Sequence, residues 1–501
     1  MQTNRDLAAF LIVRDEETLL GGCLASIQPW VGEICVLDTG SRDATVHIAR
    51  SFGAKVESFT WCEDFAAARN ASLAMSSAPW ALVIDADERL VEQTAPALAP
   101  AIAAPDKLAY YVTREDLRPQ GPPDCLAIAR LFRNRDDIRF RRPVHEGIMD
   151  DLVALNAGAL EDSGVRLAHL GYLPEVLRKQ DKHARNLRIL AQRLRDAPDD
   201  LYNAYKFAVT LPASAREQRR AAFGVAHALA LALTEPERSE LPFLPRLFTA
   251  HAASLAAEGA LSEALAVADQ GIAQVSPTAE LLYRRGELAR CVGDHEAALV
   301  WLERARLDRD SSLVRADRPH EVAVQSWAAI LALAAEGHGR LDVPPAEVAA
   351  DVRVGCALVR LALVQGQLGK AMARFAPLLN TQFATDEVRL LAGEFAWRQR
   401  DFATAESMWR LTSAETYCGH TARAWLALLA VVRGGAPAPV DRPRDVSVAA
   451  LVILLARLAG TAPHVDPAMR PDALARADAR WRAELTHAGR ADVAATSASR
   501  P

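Results

Sequence analysis

Four short apolar runs within the first 88 residues constrain the chain more than any other feature. LAAFLIV (7–13), EICVLD (33–38), AKVESF (54–59) and WALVID (80–85) are rich in branched and aromatic residues, the composition that suits a pleated, buried strand. Between them, EETLLGGCLASIQ, DATVHIARSF and DFAAARNASLAMSS place apolar residues at helical spacing. Strand, helix and strand repeated at this pace predict a parallel sheet with right-handed crossovers, the start of an α/β fold of nucleotide-binding type. Residues 105–175 are less regular, with Pro119, Pro122 and Pro123 in one loop and β-prone pieces LAYYVT, AIARLF and VRLAHL. They are expected to complete the same domain as a mixed sheet edge.

Strand signals nearly vanish after residue 176, and the remainder reads as helical. A 34-residue self-similarity runs through it: Gly259 with Gly293, Ala264 with Ala298, and, in a shifted phase, Ala371 with Ala405, Gly366 preceding Ala371 as Gly259 precedes Ala264. Small residues at fixed positions let antiparallel helices approach closely, and stacked pairs bury what one pair cannot. The stretch GELARCVGDHEAALVWLERA (286–305) resembles the tetratricopeptide pattern. The expected organisation is residues 1–190 as the α/β domain, 191–433 as a tetratricopeptide-like α-solenoid, 434–490 as a helical cap, and 491–501 as a disordered tail. An Ala-rich bundle with accidental periodicity is the competing reading of the helical part.

The 501 residues exceed one compact domain, and half of them are apolar, which excludes a small binding module and wholesale disorder. A net charge of -5 offers no general attraction to nucleic acid. The 7 cysteines are odd in number and never form C-x-x-C, which argues against a disulfide framework or zinc cluster. No signal peptide is read at the N-terminus, and the longest apolar stretch, Val446 to Leu458, contains Arg457 and is too short to cross a bilayer. The expected address is the cytoplasm, with peripheral contact at the inner membrane as a variant.

Ligands of open α/β sheets bind beyond the carboxyl ends of the strands, and every expected strand end here carries a carboxylate: Asp15-Glu16, Asp38, Glu63-Asp64, and Asp85-Ala86-Asp87-Glu88. Neither the dinucleotide G-x-G-x-x-G nor the phosphate loop G-x-x-x-x-G-K-[ST] is present. Carboxylates repel a bare diphosphate unless a cation intervenes or they accept from sugar and base donors. Asp85 and Asp87, read as an extended segment, project to one side and suit a hard divalent ion that bridges phosphate oxygens. A plainer reading is that Asp85 caps a turn and Asp87 and Glu88 are solvated.

LIVRDEETLLGGCLASI, VLDTGSRDATVHIA, WCEDFAAARNASL and WALVIDADE resemble, in order, the blocks of family 2 glycosyltransferases with the GT-A fold, in a bacterial branch that often carries tetratricopeptide repeats and includes peptide glycosyltransferases. The resemblance covers roughly the first 175 residues. It implies sugar transfer from a nucleotide diphosphosugar, UDP-sugar favoured, usually with inversion and with Mn2+ or Mg2+. By the same resemblance Asp38 accepts from the uracil or ribose, Asp87 binds the metal with Asp85 in support, and Asp15 lies beside the nucleotide where Asn is commoner. Arg42 stands where Thr is commoner. Arg69 and Asn70 would sit near the diphosphate or sugar, Arg69 alternatively being an exposed helix charge. His169, in the His169-Leu170-Gly171-Tyr172 block, either completes the metal shell or is merely packed. Glu146, in the His145-Glu146 block, and Glu88 are rival general bases, Glu146 alternatively orienting His145 or an arginine. Lys179 and Lys182 are candidates for the leaving diphosphate. A concave helical surface favours a peptide or protein acceptor over a glycan. A sugar nucleotidyltransferase is disfavoured because Arg14-Asp15-Glu16-Glu17 lacks a Gly-rich basic signature. Two further functions fit the same residues: a scaffold with an inactive GT-A domain, and a transferase of cell-envelope polysaccharide.

Overall fold

The computed structural model describes residues 4–117, 124–155, 158, 160–171, 182–308, 321–338, 344–349, 351–365, 367–379, 385–413, 417–436, 445–459 and 465–496. The chain divides into two compact units, the first ending at Pro198 and the second beginning at Asp199.

The first unit holds eight strands: β1 (Asn4–Val13), β2 (Val31–Asp38), β3 (Lys55–Ser58), β4 (Trp80–Val83), β5 (Glu88–Leu90), β6 (Ala109–Asp116), β7 (Asp124–Arg133) and β8 (Glu161–His169). The helices α1 (Leu20–Ile27), α2 (Thr45–Ser51) and α3 (Phe65–Leu73) connect the first four, and α4 (Leu98–Ala103), α5 (Met149–Ala154) and α6 (Lys182–Asp196) follow. One sheet runs β3-β2-β1-β4-β7-β6-β8-β5. β1 pairs parallel with β2 and β4, and β2 with β3, whereas β7 joins β4 antiparallel. The α/β start and the mixed second half expected from the sequence are both present, and together they make the GT-A type of sheet.

The central position of β1 explains its unbroken apolar run. Leu7, Ala9, Leu11 and Val13 enter one core with α1, while Ala8 and Phe10 enter a second with Ala66, Ala68 and Leu73 of α3. A strand covered on both faces has no solvent side to fill with polar residues. The strand order reverses at β1, since β2 and β3 lie on one side and β4 on the other. The carboxyl ends of β1 and β4 therefore flank the crevice where such sheets bind ligands.

The second unit is helical throughout its described secondary structure. Helices Leu244–Ala257 and Leu261–Gln274 form one hairpin, and Ala279–Val292 and His295–Leu307 the next. Gly259 and Gly293 turn each hairpin with φ of 79° and 82°, a conformation that costs an ordinary residue about 1 kcal/mol or more. Ala264 and Ala298 are fully buried at the crossings, as are Ala371 and Ala405 in the second pair. Gly366 lies outside the described residues. Arg400, 34 positions after it, takes the same left-handed turn with φ 60°, so the turn geometry persists there without the glycine. Helices Tyr417–Val432, Val446–Ala459 and Pro471–His487 continue the array. Trp397, Trp409, Trp425 and Trp481 share one apolar cluster there. The segment expected to be a disordered tail begins instead with helix Ala491–Thr496, because Val493 and Ala494 pack on that cluster.

Candidate functional site

The loop after β2 is built by the carboxylates at the ends of β1 and β2. Asp38 accepts from the Gly40 and Ser41 backbone N–H groups at 3.3 and 3.1 Å, with Gly40 at φ 107°. Asp15 takes a left-handed φ of 54°, accepts from the Arg42 N–H at 2.7 Å, and donates its own N–H to the Ser41 hydroxyl. Aspartate and asparagine are the non-glycine residues that enter this backbone region most easily. Asp15 and Asp38 therefore shape the loop at the paired ends of β1 and β2, beside the crevice, and Asp38 is buried there.

The D-x-D lies in a turn rather than in an extended segment, since β4 ends at Val83 and the Glu88 N–H closes back on the Asp85 carbonyl at 2.9 Å. The two aspartates consequently part company. Asp85 receives Arg69 Nη2 at 2.5 Å and Arg130 Nη2 at 2.9 Å, one on each carboxylate oxygen. Burial alone would raise its pKa, but the two guanidinium groups outweigh burial and hold it well below the ordinary carboxylate range. Both oxygens of Asp85, which the sequence expects in support of the metal, are thus engaged by arginines. Asp85 retains 30% side-chain exposure, so one edge of the neutralised carboxylate faces the crevice.

Asp87 turns the other way. The antiparallel pairing of β5 with β8 sets Glu88 opposite His169, and the Leu170 N–H donates to the Asp87 carbonyl at 2.9 Å. This brings Asp87 Oδ2 to 3.4 Å from His169 Nε2. The opposite ring nitrogen, Nδ1, lies 2.7 Å from Asp116 Oδ1 at the end of β6, and Asp116 is held in turn by Arg114 Nε at 2.8 Å. Burial would lower the His169 pKa, but its hydrogen bonds to Asp116 and Asp87 prevail and lift it to about 9. One ring nitrogen on Asp116 and the other turned to Asp87 fit a metal-binding histidine with its supporting acid. The space before it is guarded by Gly171: a Cβ there would stand 3.0 Å from Asp87 Oδ2 and 2.7 Å from His169 Cε1, and closer still to Nε2. The donor set and the cradle both fit a divalent ion held by Asp87 and His169. Among the described residues no third ligand joins them, so such an ion would take its remaining oxygens from a diphosphate or water.

The other expected site residues separate by burial. Arg69 is nearly fully buried, contrary to its reading as an exposed charge, and links Asp85 to Glu146, whose Oε1 accepts from Arg69 Nε at 3.3 Å. Glu146 thus meets an arginine, and its side chain is 16% exposed. Glu88 is fully buried, its Oε2 accepting from the Asp85 N–H and its Oε1 without a hydrogen-bond partner among the described residues. Burial first, then the Asp85 charge, raises its pKa. A carboxyl sealed from solvent in this way supports the turn and does not meet an acceptor, which corrects its reading as a base. Asn70 is also a correction: its amide donates to the Phe140 carbonyl at 2.9 Å and accepts from the Phe140 N–H at 2.8 Å, so it clamps backbone rather than ligand. Lys179 and Tyr172 lie outside the described residues, as does the side chain of Lys182. Arg130 and Asp116, both decisive here, carry no local signal in the sequence. Each is one residue of a strand whose partner comes from a distant segment.

Residues 9–146 match the family described as Glycosyl transferase family 2. A TPR repeat-containing protein of Synechococcus elongatus is 40% identical over 200 residues, covering 38% of this chain and 49% of that protein. The lipopolysaccharide core biosynthesis glycosyltransferase LpsC of Rhizobium meliloti is 30% identical over 162 residues, covering 29% and 57%. Glycosyltransferase SunS of Bacillus phage SPbeta is 26% identical, covering 38% and 45%. The chain thus spans about half the length of these curated relatives. Among solved structures, TarS 1–349 of S. aureus with UDP-GlcNAc overlays with a TM-score of 0.31 at 14% identity, covering 60% of this chain and 92% of that one. An overlay this loose establishes no residue correspondence. The block order, the mixed sheet and the family match converge on the same segment: residues 9–146 are similar to the family 2 glycosyltransferases.

Proposed function

We propose that the protein transfers a sugar from a nucleotide diphosphosugar, UDP-sugar favoured, to an acceptor hydroxyl or thiol with inversion, in a divalent-metal-dependent reaction. The observation that carries this reading is the Asp87–His169 pair with Asp116 behind it and the Gly171 cradle before it, at the crevice where β1 and β4 end. When bound there, Mn2+ or Mg2+ supplies positive charge for the departing diphosphate. Asp116 holds the proton of His169 on Nδ1, and the second proton, on Nε2, which the two carboxylates otherwise keep there, would give way to a metal ion bound before Asp87. Asp85, neutralised by Arg69 and Arg130, presents an acceptor edge suited to neutral sugar hydroxyls. Asp38 and Asp15 hold the loop that would frame the base and ribose. Glu146, at the opposite end of the Arg69 network from Asp85, takes the acceptor proton as the acceptor–carbon bond forms and the carbon–oxygen bond to the diphosphate breaks.

The acceptor we favour is a peptide or protein, on the ground that stacked helical hairpins offer an extended surface. The similarity to LpsC favours a second reading, in which the acceptor is a glycan of the cell envelope. No helix among the described residues is long and apolar enough to cross a membrane, and we place the reaction in the cytoplasm or at the periphery of the inner membrane. The deciding experiment screens nucleotide sugars with Mn2+ and Mg2+ and follows release of nucleoside diphosphate for the wild type and Asp87→Ala. Release that persists unchanged in D87A removes the metal-dependent reading. Release from no donor favours a scaffold. Peptide and oligosaccharide acceptors added to the active mixture separate the two acceptor classes.

A further inference from the structure

Helix α6 follows the sheet and carries several arginines on its polar side. Two of them are ion-paired to the turn that starts α3: Arg188 with Glu63 at 2.9 Å, and Arg193 with Asp64 at 2.7 Å. Asp64 also caps α3 by accepting from the Ala67 N–H. Arg185, one turn before Arg188, is placed differently. Its guanidinium carbon lies 4.6 Å from the centroid of the Phe65 ring. Its hydrogen bonds are to Asn186 Oδ1 at 3.4 Å, long for a charged donor, and among the described residues it forms no ion pair with a carboxylate.

The platform beneath Arg185 belongs to the crevice. The Phe65 N–H donates to the Pro143 carbonyl at 2.9 Å, three residues before Glu146. Glu146 is joined through Arg69 to Asp85. Burial lowers the Arg185 pKa; the charges of Glu146 and Glu63 act against burial, and those of Arg188 and Arg14 act with it. Arg14 stands at the end of β1, its side chain half exposed beside Asp15. Arg185 is therefore a partly dehydrated cation stacked on Phe65, whose backbone is tied to the Glu146 segment, without a carboxylate of its own among the described residues. A guanidinium stacked on an aromatic face keeps its N–H edge free, and that planar edge matches two oxygens of a phosphate. An arriving anion would offset more of its desolvation than the distant charges of Glu146 and Glu63 do.

We propose that Arg185 is a catalytic residue that binds the diphosphate of the nucleotide-sugar donor. The inference rests on the transferase reading above. In the step itself the acceptor oxygen bonds to the anomeric carbon, the bond from that carbon to the diphosphate oxygen breaks, and the electron pair passes to the diphosphate. The nucleoside diphosphate thereby gains one negative charge, which the Arg185 N–H groups meet in place. The location favours the donor over an anionic acceptor group, because Phe65 beneath Arg185 opens the helix that carries Arg69, the partner of Asp85 at the end of β4.

The test uses the full chain with UDP and Mn2+ as the probe. Calorimetric UDP affinity and steady-state donor kinetics are measured for Arg185→Gln, Arg185→Lys and Arg188→Gln. R185Q is expected to weaken UDP binding and to lower kcat/KM for the donor about 10- to 100-fold, the loss of a charged hydrogen-bond pair. R185K should recover part of this. R188Q, which removes an ion pair holding the same helix, should stay near wild type. Wild-type UDP affinity in R185Q overturns the proposal. So does an equal loss in R188Q, which would assign the effect to helix placement, or a change confined to the acceptor KM, which would move the anion to the acceptor. A wild-type protein that binds no nucleoside diphosphate overturns the transferase reading itself, and is distinguished from these by the wild-type titration.

Discussion

Substituting Gly171→Ala tests the metal cradle more directly than deleting a ligand does. The Gly171 backbone is not left-handed, so alanine is admissible there and the effect is confined to one methyl group. That methyl would lie 2.7 Å from His169 Cε1 and 3.0 Å from Asp87 Oδ2, against the roughly 3.5 Å that carbon needs for ordinary contact. The ring must therefore retreat by somewhat less than about 1 Å. It is not free to do so, because Nδ1 is bound to Asp116 at 2.7 Å and Asp116 to Arg114 at 2.8 Å. Breaking such a charge-assisted bond costs about 1.5–3 kcal/mol, which corresponds to roughly 10- to 150-fold in apparent metal affinity. The assay is a Mn2+ titration of donor turnover, accompanied by a thermal melt to show that the fold persists. A folded G171A protein with the wild-type Mn2+ half-saturation would refute the assignment of Asp87 and His169 as the cradle.

The remaining predictions concern the supports. Arg130→Met leaves Asp85 with one arginine in a largely buried setting and should destabilise the N-terminal unit by about 3 kcal/mol in denaturant unfolding; an unchanged midpoint would show that Arg69 alone suffices. In the helical unit, His227 and His251 share an Nδ1–Nδ1 contact of 3.0 Å, and burial followed by the His227 charge holds His251 down at about 4. His295 is likewise held at about 4 by burial and then His338. A histidine depressed in the folded state binds more protons unfolded, so stability is complete above about pH 6.5 and falls as pH drops toward 4, by up to about 3 kcal/mol for each group. A pH series of melts checks this, and H251Q should flatten the dependence. Gly286→Ala brings a methyl to 2.8 Å from Leu302 Cγ and should cost about 1–3 kcal/mol of helical stability while UDP binding stays unchanged; loss of UDP binding would contradict the separation into two units.

Much of the architecture is legible in the order of residues. The apolar runs of β1, β2 and β4 are continuous because a central parallel strand has no wet face, and their polar ends mark the crevice. The spacing of Gly259 from Gly293 and of Ala264 from Ala298 follows from hairpins that need a left-handed turn and a close crossing at each repeat. The site is legible in its residue types and less so in their roles. Asp87 and His169 stand out as motif residues, and Gly171 acquires its reason once a Cβ is placed beside them.

The sequence alone determined the alternation of strands and helices, the carboxylates at strand ends and the helical repeat, because each of these is written in local composition and short-range period. It did not distinguish Asp85 from Asp87, which have the same type and lie two residues apart. Tertiary structure decided that: β7 brings Arg130 to Asp85, and the pairing of β5 with β8 and of β6 with β8 brings His169 and Asp116 to Asp87. Likewise α6 places Arg185 over Phe65, far away in the chain. These contacts depend on strand register and packing between segments separated by tens of residues, and no local pattern encodes which segment becomes whose neighbour.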